Sequence, residues 1–187
     1  QNAIASLPNS QSQAGRVNKY TAYALLGKVL LYQDKFAEAA SALDNVIGVY
    51  SLVSDYGSQF LRFGENGPES VFEIQYSNQS NWYDWGCAHC SEGNYAIIMN
   101  GPRGWSGPEY AQGWSFNVPT EEFYNSFEEG DSRRDATVLD IEAFAAATGA
   151  SYTEGYDHTG YFNNKYIPRA GESGGQTELN YLTNFRI

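Results

Sequence analysis

Between Val17 and Tyr50 the chain passes twice through apolar residues at helical spacing, with only Asp34-Lys35 between the two runs. In the first, YTAYALLGKVLLYQD, residues Tyr20, Ala24, Gly27, Leu30 and Leu31 share one face; the second reads FAEAASALDNVIGVY. Two amphipathic helices joined by so short a turn must pack antiparallel as a helical hairpin. Gly27 and Ala39, twelve positions apart, are small where the two helices come together.

That spacing is the one a tetratricopeptide repeat uses, with Tyr23 in the place of its early aromatic and Leu43 in the place of its later Phe. A single repeat cannot bury both of its faces and needs neighbours, so the chain is expected to be part of a larger protein. Both ends read as cut: there is no initiating Met, and the final Asn184-Phe185-Arg186-Ile187 has no cap or polar tail. Signal peptide, lipid-attachment cysteine and apolar span are absent from the sequence, which leaves the location of the parent protein open.

The rest of the chain reads as shorter pieces. Residues 1–15, polar and broken by Pro8 and Gly15, form a linker. The stretch DYGSQFLRF has room for one or two helical turns, and Gly64 to Pro68 marks a turn. Ser70 to Tyr76 alternates as a strand, with Phe72, Ile74 and Tyr76 toward the core. Thr120 is placed to cap a helix bearing Phe123 and Phe127, ended by Gly130. An Ala-rich helix is expected over about 140–148, and Tyr161 to Ile167 is a second strand candidate. These pieces predict an α+β fold, mainly helical. Residues 1–53 carry the linker and tetratricopeptide-like hairpin, and residues 54–187 an irregular aromatic-rich region with short strands and helices.

Aromatic residues make up 16% of the chain, and the 15 Tyr outnumber the 10 Phe, a bias that suits partly wet contact surfaces over a pure core. All four tryptophans fall in residues 77–118, which have no sustained period; an irregular segment of that length in a compact protein is functional or disordered, and bulky aromatics argue against disorder. Sugar rings bind to flat apolar faces with polar groups at their edges. Asn81-Trp82-Tyr83-Asp84-Trp85 supplies both within five residues, and Trp105, Tyr110 and Trp114 are expected to complete a curved platform, with Asn78, Gln79 or Arg103 at its rim. The competing reading makes these aromatics a satellite core under a long loop, with Trp114 beside Phe116 the most core-like.

A net charge of −11 repels phosphate backbones and anionic lipid, and no basic stripe offsets it. A glycoside hydrolase needs two carboxylates at a fixed separation, and no motif singles out a pair among Asp84, Glu92 and Glu109. Nucleophile elbow, P-loop and dinucleotide fingerprint are absent from the sequence. Asp131 and Asp157 lack the spaced oxygen ligands of a calcium loop. In Cys87-Ala88-His89-Cys90 the only other histidine, His158, is distant, so a local disulfide stiffening the loop is favoured over a metal or redox site. No metal and no cofactor is implied. Binding of a glycan is the leading reading, and a protein-interaction scaffold working through residues 17–48 is the alternative.

Several segments, taken in order, resemble the SusD/RagB family. They are Gly15-Arg16 with Ala24 to Tyr32 and Ala37 to Ala40, then Tyr50-Ser51-Leu52-Val53 with Phe60. Glu69-Ser70-Val71-Phe72-Glu73-Ile74 follows, then Pro119-Thr120 with Asp131-Ser132-Arg133-Arg134 and the closing Asn184-Phe185-Arg186-Ile187. The resemblance implies a tetratricopeptide-like scaffold of a lipid-anchored protein on the outer face of a Bacteroidetes outer membrane. It further implies non-catalytic binding of an oligosaccharide or polysaccharide for delivery to a SusC-like TonB-dependent transporter. Glycan specificity would then reside in the variable region, residues 77–118.

Overall fold

The structure, a computed structural model, describes residues 2–76, 86–87 and 94–171. These residues form two compact units: residues 2–54 with 63–75, and residues 55–62 with 76–171.

The first unit is built on the helical hairpin. Helix α1, Lys19–Leu31, starts at Asn18, whose Oδ1 accepts the Thr21 backbone N–H at 2.9 Å and satisfies one of the donors a helix start leaves open. The Thr21 hydroxyl donates onward to the Val71 carbonyl at 3.0 Å, tying the returning chain to the helix. After a turn in which Asp34 takes a positive φ of 59°, α2 runs over Phe36–Leu43. The buried faces are Thr21, Ala24, Gly27 and Leu30 on α1 and Ala39 and Ala42 on α2. A Cβ on Gly27 would lie 2.5 Å from Leu43 Cγ, so the missing side chain is what lets the helices close. Asn2–Ala5, inside the sequence predicted as linker, forms a single 3-10 turn.

Residues 70–76 depart from expectation. Only an isolated bridge forms, at Glu73, and the expected alternation fails at the centre of the segment: Glu73 is 2% exposed while Ile74 is 41% exposed, with Phe72 and Tyr76 half-buried. The cause is a local one. Glu73 Oε1 accepts the Asn66 N–H at 3.0 Å, and Asn66 and Gln75 exchange side-chain hydrogen bonds at 3.0 and 3.1 Å. Asn66 sits at φ 53°, and these polar bonds satisfy the turn that a strand register would have left open.

The second unit begins with a 3-10 turn, Tyr56–Phe60, and continues with α3, Tyr95–Asn100, and α4, Glu121–Asn125. Then come α5, Arg133–Thr137, the strand β1, Val138–Asp140, the helix α6, Ile141–Thr148, and the strand β2, Tyr161–Asn163. Thr120 caps α4, its Oγ1 accepting the Phe123 N–H at 3.2 Å, but the helix closes at Asn125, before Gly130. The Ala-rich helix forms where its periodicity placed it. Asp140 Oδ1 accepts the Ala143 N–H at 2.8 Å at one end, and Gly149, at φ 75°, provides the left-handed cap at the other. β1 and β2 pair antiparallel with Leu139 opposite Phe162, so the predicted strand exists but spans only its first three residues. Tyr110, Leu139, Ile141, Phe162 and Ile167 form the core of this unit. The fold is helix-rich with few, short strands, and no described helix is long and apolar enough to cross a membrane.

Candidate functional site

Of the residues that sequence reasoning placed at the glycan, Asn81, Trp82, Tyr83, Asp84 and Trp85 lie outside the described residues. Residues 94–118 of the same stretch are described and form a frame of their own. Where α3 ends, residues 113–116 return alongside it, with Trp114 N–H donating to the Ile98 carbonyl at 3.0 Å and Phe116 N–H to Met99 at 2.8 Å. Ser115 N–H donates to Gly101 at 2.8 Å, so three carbonyls at the helix end are satisfied by chain rather than water. Gly101 and Gly113 make the crossing possible: a Cβ on Gly113 would meet the Gly101 backbone. Asn100 Nδ2 holds the Tyr166 carbonyl at 3.0 Å and pins this crossing to the loop that follows β2.

Arg103 is at the surface of this frame. Its Nη2 donates to the Trp114 carbonyl at 3.0 Å, its N–H to Ser115 Oγ at 2.9 Å, and its carbonyl accepts the Thr153 N–H at 2.7 Å. The guanidinium is thus oriented before any ligand arrives, as a rim donor should be.

Trp105 and Tyr110 come together, but as packing. Their rings meet edge to face at 5.8 Å, and Phe144 of α6 closes the cluster at 5.9 Å from Trp105 and 5.1 Å from Tyr110. Tyr110 is 5% exposed, its hydroxyl donating to Asn164 Oδ1 at 3.2 Å and its ring lying 5.3 Å from the Arg169 guanidinium. Burial pushes its phenol above the ordinary tyrosine range, against the opposing pull of Arg169. A ring so enclosed presents no face to a sugar, so Tyr110 is assigned to the core, where the sequence had offered it as platform. Trp105 is partly buried against the same cluster. Phe144 is the member that sequence reading missed: in an Ala-rich helix, a lone aromatic on the buried face marks the element against which an upstream aromatic loop packs.

Cys87 is disulfide-bonded, and Cys90, the chain's other cysteine, lies outside the described residues. Asp131 has its carboxylate taken by Arg133, at 2.9 and 3.1 Å from Nε and 2.6 Å from Nη2. Among the described residues no group of three His, Cys, Asp or Glu side chains is placed to hold a metal ion.

The described residues thus combine a helical-repeat hairpin with a loop-rich unit around an aromatic-containing core. Comparison with known proteins shows what that build is similar to. No protein-family model matches the chain. A curated SusD-like protein P2 of Formosa agariphila is 28% identical over 94% of the chain and 36% of its own length. Among solved structures, a laminarin-binding SusD-like protein superposes with a TM-score of 0.86 at 38% identity, over 98% of this chain and 44% of that one. Surface glycan-binding protein A of Bacteroides thetaiotaomicron, in complex with laminarihexaose, superposes with a TM-score of 0.85 at 28% identity, over 100% of this chain and 45% of that one. The chain is similar to these SusD-like proteins over nearly all of its own length and spans less than half of theirs.

Proposed function

We propose that the protein binds an oligosaccharide at the bacterial cell surface without altering it, and that the parent protein passes it to a SusC-like TonB-dependent transporter of the outer membrane. The observation that carries this reading is the 38% identity, over 98% of the chain, to a laminarin-binding SusD-like protein. A laminarin-type glucan is accordingly the first candidate ligand. Trp82 and Trp85 are the stacking faces, with Asn81, Tyr83 and Asp84 between and beside them and Arg103 as a pre-oriented rim donor. Trp105, partly buried against Tyr110 and Phe144, completes the proposed set. A net charge of −11 is compatible with a neutral glycan and unfavourable to a polyanionic one.

The protein-scaffold reading has one observation in its favour. Tyr32 and Phe36, on either side of the hairpin turn, are 81% and 63% exposed, apolar surface of the kind that protein partners cover. We assign that end of the hairpin to the transporter side.

Titration of the chain with laminarihexaose, followed by tryptophan fluorescence, tests the glycan reading. A saturable change is expected, abolished in the Trp82→Ala, Trp85→Ala double variant, with the hexasaccharide recovered intact. A folded chain that does not respond, or one that shortens the hexasaccharide, would overturn it.

A further inference from the structure

A recess of about 280 Å³ opens in the second unit between the loop before α4 and the β1–β2 pair. Its apolar wall is Val118, Pro119 and Phe123, the last 46% exposed and braced edge to face by Phe127 at 5.4 Å. Its polar lining is Asn117, Thr137, Asn163 and Lys165, with no carboxylate among the residues that line it.

The hydrogen-bond inventory of that lining is half used. Asn163 Oδ1 accepts the Lys165 N–H at 3.0 Å, which fixes the amide and leaves its NH2 group as donor. Asn117 Nδ2 donates to Asn100 Oδ1 at 3.4 Å, leaving the Asn117 carbonyl as acceptor. Lys165 gives one proton to Tyr56 Oη at 2.6 Å and lies 4.8 Å from the Phe60 ring centre; two ammonium protons remain, and it makes no ion pair among the described residues. The Thr137 hydroxyl can serve as donor or acceptor. An amide donor, an amide acceptor and a hydroxyl line the recess with a half-exposed aromatic ring and with Lys165, whose ammonium is held by Tyr56 and Phe60; that set is the complement of one pyranose, whose faces are apolar and whose edge alternates donors and acceptors. The recess is at the low end of the size of small-molecule sites, suited to one ring rather than a chain.

We propose that this recess is a second saccharide subsite, taking a single neutral hexopyranose unit through Phe123, Asn163 and Lys165. It shares no residue with the platform assigned above, so either can fail without the other. The overall charge of −11 selects a neutral unit over an acidic one despite Lys165.

The probe is methyl β-D-glucopyranoside, followed by amide-resolved NMR on the whole chain, with laminarihexaose as the longer companion. Saturable shifts at Asn117, Thr137 and the Asn163 side-chain amide are expected, and a decrease in affinity of at least about tenfold, ~1.4 kcal/mol, in Asn163→Asp, which keeps the size but replaces the donor with a carboxylate. Phe123→Ala, on a half-exposed ring, should lose the shifts while the spectrum of the core stays unchanged. The Trp82→Ala, Trp85→Ala variant should keep them. Shifts confined to the tryptophan segment, or recess shifts that persist in both Asn163→Asp and Phe123→Ala, would overturn the subsite. A galacturonate monosaccharide binding more tightly than the neutral glucoside would overturn its neutral specificity.

Discussion

Asp131 shows what a single residue in a sequence motif can be for. Within Asp131-Ser132-Arg133-Arg134 the carboxylate accepts the Arg133 guanidinium and also its backbone N–H at 2.9 Å. These bonds, led by the side-chain one, lower its pKa from an ordinary 3.8 to about 2. Because the folded value lies below the unfolded one, the contribution to stability is complete above the unfolded value and is lost as pH falls through about 2. A carbon-detected NMR titration should place the Asp131 midpoint near 2, and Arg133→Ala should return it to the ordinary carboxylate range; a midpoint unmoved by that change would refute the assignment. Since the group is exposed, the effect is local, on the turn before α5, rather than on global stability.

The α1–α2 hairpin was legible in the sequence because its signals are short-range: helical period, a cap at Asn18 and a glycine where the axes meet. Those same features make its packing testable. Gly27→Val is expected to destabilise the chain by about 1–3 kcal/mol in denaturant unfolding, through overpacking against Leu43. Adding Leu43→Ala should recover part of that loss, which a merely propensity-driven effect would not allow. The strand expected over 70–76 failed for the opposite reason. Alternation identifies two faces but not which is inside, and here a buried carboxylate that caps a turn outweighed the apolar Ile74. β2 was found yet overestimated, since the backbone after Asn163 turns to bring Asn164 Oδ1 to Tyr110 and its N–H to the Thr137 carbonyl at 2.8 Å. Such long-range polar contacts leave no periodic trace. The same limit governs the candidate site: composition marked residues 77–118 as the unusual stretch, but only packing separates Tyr110 in the core from Arg103 at the surface.

Over the whole molecule, charge and aromatic content act on different terms of binding. Stacking and hydrogen bonds to a neutral sugar involve no net charge, so affinity for laminarihexaose is expected to change less than about twofold between low salt and ~0.5 M salt. A sulfated glycan, repelled by a surface of −11, should bind only weakly at low salt and gain as salt rises. Isothermal titration in the two buffers separates these outcomes, and strong salt dependence for the neutral hexasaccharide would point to a charged contact missing from the present description.

The crossing of Gly101 and Gly113 has a consequence for how this fold can change over time. Neither position bears charge, hydropathy or a reactive group, yet Gly113 is closed to any side chain by the Gly101 backbone, and Gly101 by the Pro168 ring with the Gly113 backbone close behind it. In lineages descended from a common ancestor, the two should be either kept together or exchanged together with a rebuilt crossing, while the stretch outside them drifts. A glycine at one position paired with a bulky residue at the other would then mark a chain in which residues 113–116 leave α3 by a different path.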